Sequence, residues 1–300
     1  LLPTHDELLA ALLAFRYAPA FLRRLPALPV ALALGGIGAW AAALLLAGRQ
    51  HLTLSVPGAE NDFRVFALRS AHLAGQFPAG IDDPARDGVF RADGFYNQGY
   101  PLLLWLLRPF ASDNAFLAAR VVATLSGALL LFGGWLLARR LLGRNGALLA
   151  LVLLALSPLV VEYGLYLGTD TPFAALCVLA LALLLPTRAP RVWLLALAGV
   201  VAGAAFLVRH PGFLLLPFGW LAIWAGARLH TEARPALRTH LLAFTLAFLI
   251  AILPQVLVNL RDTGQPLYSQ QAKNVWQGMF GGGDWDRWAG ARNDIGITEV

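Results

Sequence analysis

One cysteine, one lysine and one methionine occur in the 300 residues, and only 13% of positions carry a charge. Each shortage excludes something. Cys177, alone and inside an apolar run, supports neither a disulfide framework nor a thiolate metal site, and it reads as core packing. Lysine is confined to Lys273, so the net charge of +6 comes from arginines, and these are spaced between apolar runs instead of gathered in one stripe. That spacing speaks for membrane topology and against a nucleic-acid partner. What the chain has in excess is apolar surface. Hydrophobic residues make up 58% of it and its mean hydropathy is +0.65, well beyond the balance of a soluble domain. An all-α polytopic membrane protein is expected. The chain opens on Leu1 and closes in a polar stretch at Val300, and it reads as a piece of something longer.

Apolar runs long enough to cross about 30 Å of hydrocarbon as helix occur at Ala27 to Gly48, Phe116 to Ala138, Ala147 to Gly168, Thr171 to Pro186, Val192 to Val208, Phe213 to Leu229 and Leu241 to Asn259. They amount to about seven spans. Arg16, Arg23 and Arg24 precede the first run, Arg139, Arg140 and Arg144 follow the second, Arg188 and Arg191 follow the fourth, and Arg228, Arg234 and Arg238 follow the sixth. Those segments are assigned to the cytoplasm. The short alternate connections carry little positive charge: "YLGTDTP" has none and "RHPG" has only Arg209. Residues 1–26 are therefore expected to be a cytoplasmic segment with an interfacial helix, for which Thr4 and Glu7 have capping-box spacing. Residues 27–259 form the transmembrane module, with a long extracytoplasmic loop at 49–115, and 260–300 begin a further extracytoplasmic loop. Gly199 and Gly203 make a small-xxx-small pair in the fifth run, a sign of close helix packing.

Ionisable residues collect at the outward ends of these runs. In "GAENDFRVFALRSAHLAG", Phe63, Phe66, Ala67, Ala71 and Ala74 recur at helical spacing, with Arg64, Arg69 and His72 elsewhere on the wheel. An amphipathic helix along the outer membrane surface is expected, started by Asn61 or Asp62, and a plain helix cap is one reading of Asp62. Glu162 falls inside the third run, where an ionisable group is costly and points to function. Asp170 follows it by roughly 12 Å if the helix continues, although Asp-Thr-Pro is also a good helix start. Arg209 and His210 occupy a turn too short to leave the membrane boundary, where the arginine either snorkels or binds. A carboxylate beside an arginine at this surface suits transfer of a sugar from a polyprenyl phosphate. The acid takes the proton of an attacking hydroxyl, and the guanidinium holds the leaving phosphate through paired hydrogen bonds.

With these residues in view, the chain resembles GT-C glycosyltransferases of family 39, the protein O-mannosyltransferase and aminoarabinose-transferase type. "NDFRVFALRSAHLAGQFP" is similar to the first extracytoplasmic loop of that family, whose pattern is Asp-Glu-x-x-Tyr-Ala. Asp62 stands at the catalytic aspartate, while Phe63 and Phe66 replace the glutamate and the tyrosine. "YNQGYPLLLWLLRPF" is similar to a Lys-Pro-Pro-Leu segment, with Gly99 and Tyr100 in place of the lysine and first proline. "LALSPLVVEYGLYLGTDTPFAAL" places Asp170 at a second acidic position, and "AAFLVRHPGFLLLP" is similar to the fifth-to-sixth turn. The likeness runs roughly from Leu28 to Ser269. It implies an inverting hexosyl- or pentosyltransferase acting outside the cytoplasm on a polyprenyl-phosphate sugar, with a protein, lipid or glycan acceptor, and with a C-terminal module to follow. Asp62 and Asp170 are the expected catalytic acids. Arg209, His210, Glu162, Glu60, Arg64, Tyr96, Asn97, Tyr100 and Lys273 are the expected substrate contacts.

No cofactor is required by these motifs, although Asp62, Glu60 or His210 leave room for a divalent metal. The glycines at 281–283 lack the Gly-Lys-Ser/Thr of a P-loop, and "DDPARDGVFRADG" has the wrong spacing for an EF-hand and reads as a solvated turn. The region around Lys273 reads as a loop lying on the surface. The competing class is a transporter or flippase of lipid-linked saccharides, which is expected to show two repeated halves with polar groups near the midplane. Here the polar groups gather at one face and no halves are visible.

Overall fold

A computed structural model describes residues 30–50, 60–73, 94, 96–111, 114–185, 190–270, 273–275 and 286. The expected interfacial helix in 1–26, the acidic turn-rich loop before Gly94 and the glycines at 281–283 lie outside these residues. The described chain is all-α: α1 (Val30–Gln50), α2 (Glu60–Leu73), α3 (Gly99–Leu107), α4 (Ala115–Ala155), α5 (Pro158–Leu165), α6 (Asp170–Leu184), α7 (Val192–Val208), α8 (Leu215–Leu229) and α9 (Leu237–Thr263), with 3-10 turns at Arg108–Ala111, His210–Leu214 and Thr231–Ala236. Among the described residues, three helical stretches are long and apolar enough to cross a membrane, Ala115–Ala155, His210–Leu229 and Arg234–Thr263, beside shorter apolar helices at Ala33–Ala47, Asp170–Leu184 and Val192–Val208. The chain is a polytopic membrane protein. Leu34, Leu46, Leu153, Leu246, Ile250 and Leu257 are exposed on the helix exteriors, a surface that lipid tails, unlike water, accept without cost.

The second and third apolar runs are joined through α4. Gly143 interrupts that helix at φ 75°, ψ −172°, a backbone conformation that costs glycine least. The chain folds back there, since Leu131, Trp135 and Ala138 before the glycine pack with Ala147 and Leu151 after it. The third run is not one continuous span, as its length suggested. It breaks at Leu156 and Ser157, and Pro158 opens the separate helix α5. Proline has no N–H for the preceding turn and pushes its predecessor out of helical geometry, and Ser157 is extended at ψ 121°. Trp40 of α1 closes this corner. Its indole N–H donates to the Ala155 carbonyl at 3.1 Å, and its ring lies where Gly127 and Gly164 leave room.

Packing of α7 on α9 forms the main core. Phe244, Phe248 and Ile252 are fully buried with Ala198, Ala202 and Ala205. Gly199 meets the Phe244 carbonyl, and Gly203 meets Ala251 and the Phe248 carbonyl, so the small-xxx-small pair brings the two backbones together as its spacing predicts. Gly199→Ala drives a methyl into a backbone oxygen and is expected to destabilise the protein by about 1–3 kcal/mol. Gly38→Ala, with open space around it, is expected to have no such effect. Thermal unfolding of both variants in detergent checks this; equal midpoints would show that the α7–α9 contact has slack.

Candidate functional site

The amphipathic helix α2 buries its apolar side in protein and not along lipid, contrary to expectation. Phe63 and Phe66 sit in a cluster with Tyr100, Leu104, Ala118, Ala119, Val122 and Leu167. Phe63 tilts against Phe116 at 4.9 Å between ring centres. Phe66 meets both Tyr96 and Tyr100 edge-on at 5.0 Å. The two phenylalanines that depart from the family pattern therefore anchor the helix. Asp62 does not start it. The helix begins at Glu60, so Asp62 is its third residue, and its carboxylate accepts a hydrogen bond of 2.5 Å from the Tyr96 phenol. The cap reading of Asp62 fails for that reason. Arg69, placed on the polar side of the wheel, is 2% exposed, with its guanidinium 5.5 Å from the Tyr96 ring centre. Tyr96 is thus held by Phe66 and Arg69 while it holds Asp62. Glu60 stands at the helix start with its side chain outside the described residues, and Arg64 is exposed.

The segment after Tyr96 is bolted to the bundle by backbone and amide groups. Asn97 donates from Nδ2 to the Phe206 carbonyl at 2.5 Å, and Gly99 lies against the Leu207 carbonyl. The Gln98 N–H donates to Gln255 Oε1 at 3.0 Å. Gln255 in turn donates to Asn259 Oδ1 at 2.9 Å, and Asn259 donates to the Pro266 carbonyl at 3.1 Å. The two amides of this relay lie one helical turn apart on α9 and are not among the residues that the motifs single out. The signal for them is available: two amides at i, i+4 within an apolar span ask for a hydrogen-bonded role. Tyr100 is fully buried, and burial pushes its phenol above the ordinary range, so it packs as a neutral ring.

Asp170 and Arg209 meet directly. Asp170 is the first residue of α6; Thr169 precedes it in helical geometry and makes no side-chain cap. The Asp170 carboxylate instead accepts from Arg209 Nη1, and the guanidinium lies 5.9 Å from the Phe173 ring centre. Both side chains are a little over 40% exposed, where an ion pair contributes little to stability. Arg209 ends α7 in extended backbone, φ −147°, ψ 138°, and Pro211 is the second residue of the following 3-10 turn. His210 packs edge-on to Phe206 at 6.0 Å. The expected helical link from Glu162 to Asp170 does not exist, because α5 stops at Leu165 and Tyr166 is extended. Glu162 is exposed and accepts from the Tyr166 phenol at 2.6 Å. The Thr171 hydroxyl donates to the Tyr163 carbonyl at 2.6 Å and ties α5 to the start of α6.

The two acid sites share one end of the bundle. Leu167, three residues before Asp170, belongs to the cluster around Phe63 and Phe66, and Asn97 bonds to Phe206, three residues before Arg209. The chain after α9 returns to the same end, with the Gln270 N–H donating to the Gly94 carbonyl at 2.8 Å. Lys273 follows and is 3% exposed, while Val275 two residues on is 45% exposed, so the lysine is enclosed within a segment that otherwise reaches the surface. Among the described residues no three His, Cys, Asp or Glu side chains form a metal-binding group; the Glu60 side chain lies outside them.

A polytopic helical membrane protein with acids and an arginine gathered at one end is the architecture of a GT-C glycosyltransferase. Residues 99–257 match the family of dolichyl-phosphate-mannose-protein mannosyltransferases, and the chain belongs to that family. The matched segment contains Tyr100, Glu162, Asp170, Arg209 and His210; Asp62, Tyr96 and Asn97 precede it, and Lys273 follows it. No curated protein and no solved structure matches the chain.

Proposed function

We propose that this chain is an inverting glycosyltransferase that moves a sugar from a polyprenyl phosphate to an acceptor hydroxyl at the extracytoplasmic membrane face. The observation that carries the proposal is the placing of Asp62, fixed by Tyr96, at the same end of the bundle as the Asp170–Arg209 pair. Asp62 takes the proton of the acceptor hydroxyl as its oxygen bonds to the anomeric carbon. The bond from that carbon to the phosphate oxygen breaks on the opposite side, and the polyprenyl phosphate leaves with the electron pair, its charge met by Arg209. Attack and departure on opposite faces invert the anomeric centre. Tyr96 holds Asp62 and His210 adjoins Arg209 at this end, and the family description makes mannose and a protein hydroxyl the first donor and acceptor to try.

The arginine-bearing connections support a cytoplasmic assignment for the other end, with the polypeptide crossing the membrane about seven times. The amide relay through Gln255 and Asn259 connects to Gln98 and Pro266 at the acid end, which is not the midplane placement a transporter calls for.

The test is transfer of radiolabelled sugar from a synthetic polyprenyl-phosphate sugar to an impermeant acceptor by sealed vesicles of known orientation. Product is expected only when the segment between α2 and α3 faces the acceptor. Transfer in the opposite orientation alone would overturn the facing, and donor movement across the bilayer without transfer would establish the transporter.

A further inference from the structure

At the end of the bundle away from Asp62 and Asp170, a cleft opens between the end of α6, the start of α7, α8 and the start of α9. Arg140, Arg191 and His240 line it, together with the Leu183 and Leu185 region and an apolar floor that includes Leu195 and Ile223. No acidic residue is among those lining it. Two guanidiniums facing one cleft of an otherwise apolar bundle leave positive charge there, which a bound anion compensates.

Arg140 spends only Nη1 within the protein, donating at 3.4 Å to the Leu183 and Leu185 carbonyls. Capping the end of α6 accounts for that one nitrogen, whereas Nε and Nη2 have no other partner among the described residues. His240 is 4% exposed and bonds to the Pro190 backbone, so it forms a built wall and not a passing surface group. Arg191 is exposed at the mouth. Trp193, Leu197, Leu221 and Trp224 are exposed on α7 and α8, two of the helices whose residues line the cleft. A basic cleft between helices whose outer residues are exposed and apolar suits a lipid phosphate, with its acyl chains against those helices, more closely than a soluble anion.

We infer that this cleft binds the phosphate of an anionic phospholipid from the leaflet opposite the proposed transfer site, through Arg140 and Arg191 with His240 beside them. The leaflet rests on the orientation set by the arginines. The binding itself does not rest on the transferase reading, and the test does not measure transfer.

The chain purified in mild detergent is offered phosphatidylglycerol, phosphatidylcholine or glycerol 3-phosphate, and bound lipid is counted by native mass spectrometry with thermal midpoints alongside. Phosphatidylglycerol is expected to be retained over phosphatidylcholine by at least about fivefold for each engaged arginine and to raise the midpoint. Glycerol 3-phosphate is expected to do neither. Arg191→Gln, at an exposed position that leaves the core intact, is expected to lose about fivefold of that preference, and Arg140→Gln with Arg191→Gln to abolish it. Equal retention of the two lipids, an equal shift by glycerol 3-phosphate alone, or an unchanged preference in Arg191→Gln would each overturn the assignment.

Discussion

Asp62→Asn is expected to lower the rate of sugar transfer by at least about 100-fold at matched membrane content, the lower bound for removal of a positioned general base. The structure makes the comparison clean. Asparagine has the same shape and still accepts the Tyr96 hydrogen bond that Asp62 accepts at 2.5 Å, so the contact survives while the capacity to take a proton does not. The helix itself is held by Phe63 and Phe66, which are 5% and 3% exposed. Loss of one carboxylate in the first turn costs it about 0.3–1 kcal/mol through the helix dipole, too little to unfold it. Tyr96→Phe removes the phenol that aims the carboxylate but leaves the acid, so a smaller loss is expected, of roughly tenfold. The measurement is the initial rate under saturating donor, with thermal midpoints recorded for each variant. Most of the wild-type rate surviving in Asp62→Asn would show that the carboxylate is an element of structure and nothing more.

The sequence made Asp62 visible, and it also hid its partner. Tyr96 lies 34 positions away, beyond any helical period, and what brings the two together is burial of Phe66 against both tyrosines. Periodicity correctly found the apolar side of α2, but it does not say whether that side meets lipid or protein. Composition is the same for both, and only the partner helix decides. Arg69 differs from its wheel position for the same cause: a helical wheel assigns charge outward, whereas the Tyr96 ring gives this guanidinium a favourable inward face. The break at Pro158 is legible in "LSPLVV", but the length of the apolar run outweighs it and puts Glu162 inside a span that the structure divides. Gly199 and Gly203 were read correctly, because close approach of two helices leaves its mark on one face of one segment.

The second large effect is expected at Arg209, where kcat/KM for the donor should fall by roughly 10- to 100-fold in Arg209→Ala, the value of one charge-assisted hydrogen bond to the phosphate. Most of that loss should appear in KM. The side chain stands at the end of α7 on extended backbone, with Asp170 on Nη1 and Phe173 beneath the guanidinium, an arrangement that fixes the plane of the fork. Arg209→Lys keeps the charge and an ion pair to Asp170 but gives up the planar, two-pronged contact, so an intermediate KM is expected. Asp170 separates two explanations. If it serves only to orient Arg209, then Asp170→Asn added to Arg209→Ala should cost little more than Arg209→Ala alone, because the two changes remove one interaction. If Asp170 also handles a proton, the losses should multiply and kcat should fall in Asp170→Asn by itself. Initial rates across donor concentration for the two single variants and the double variant decide between them. An unchanged donor KM in Arg209→Ala would reduce this guanidinium to a side chain that snorkels to the membrane boundary, and the phosphate would need another partner.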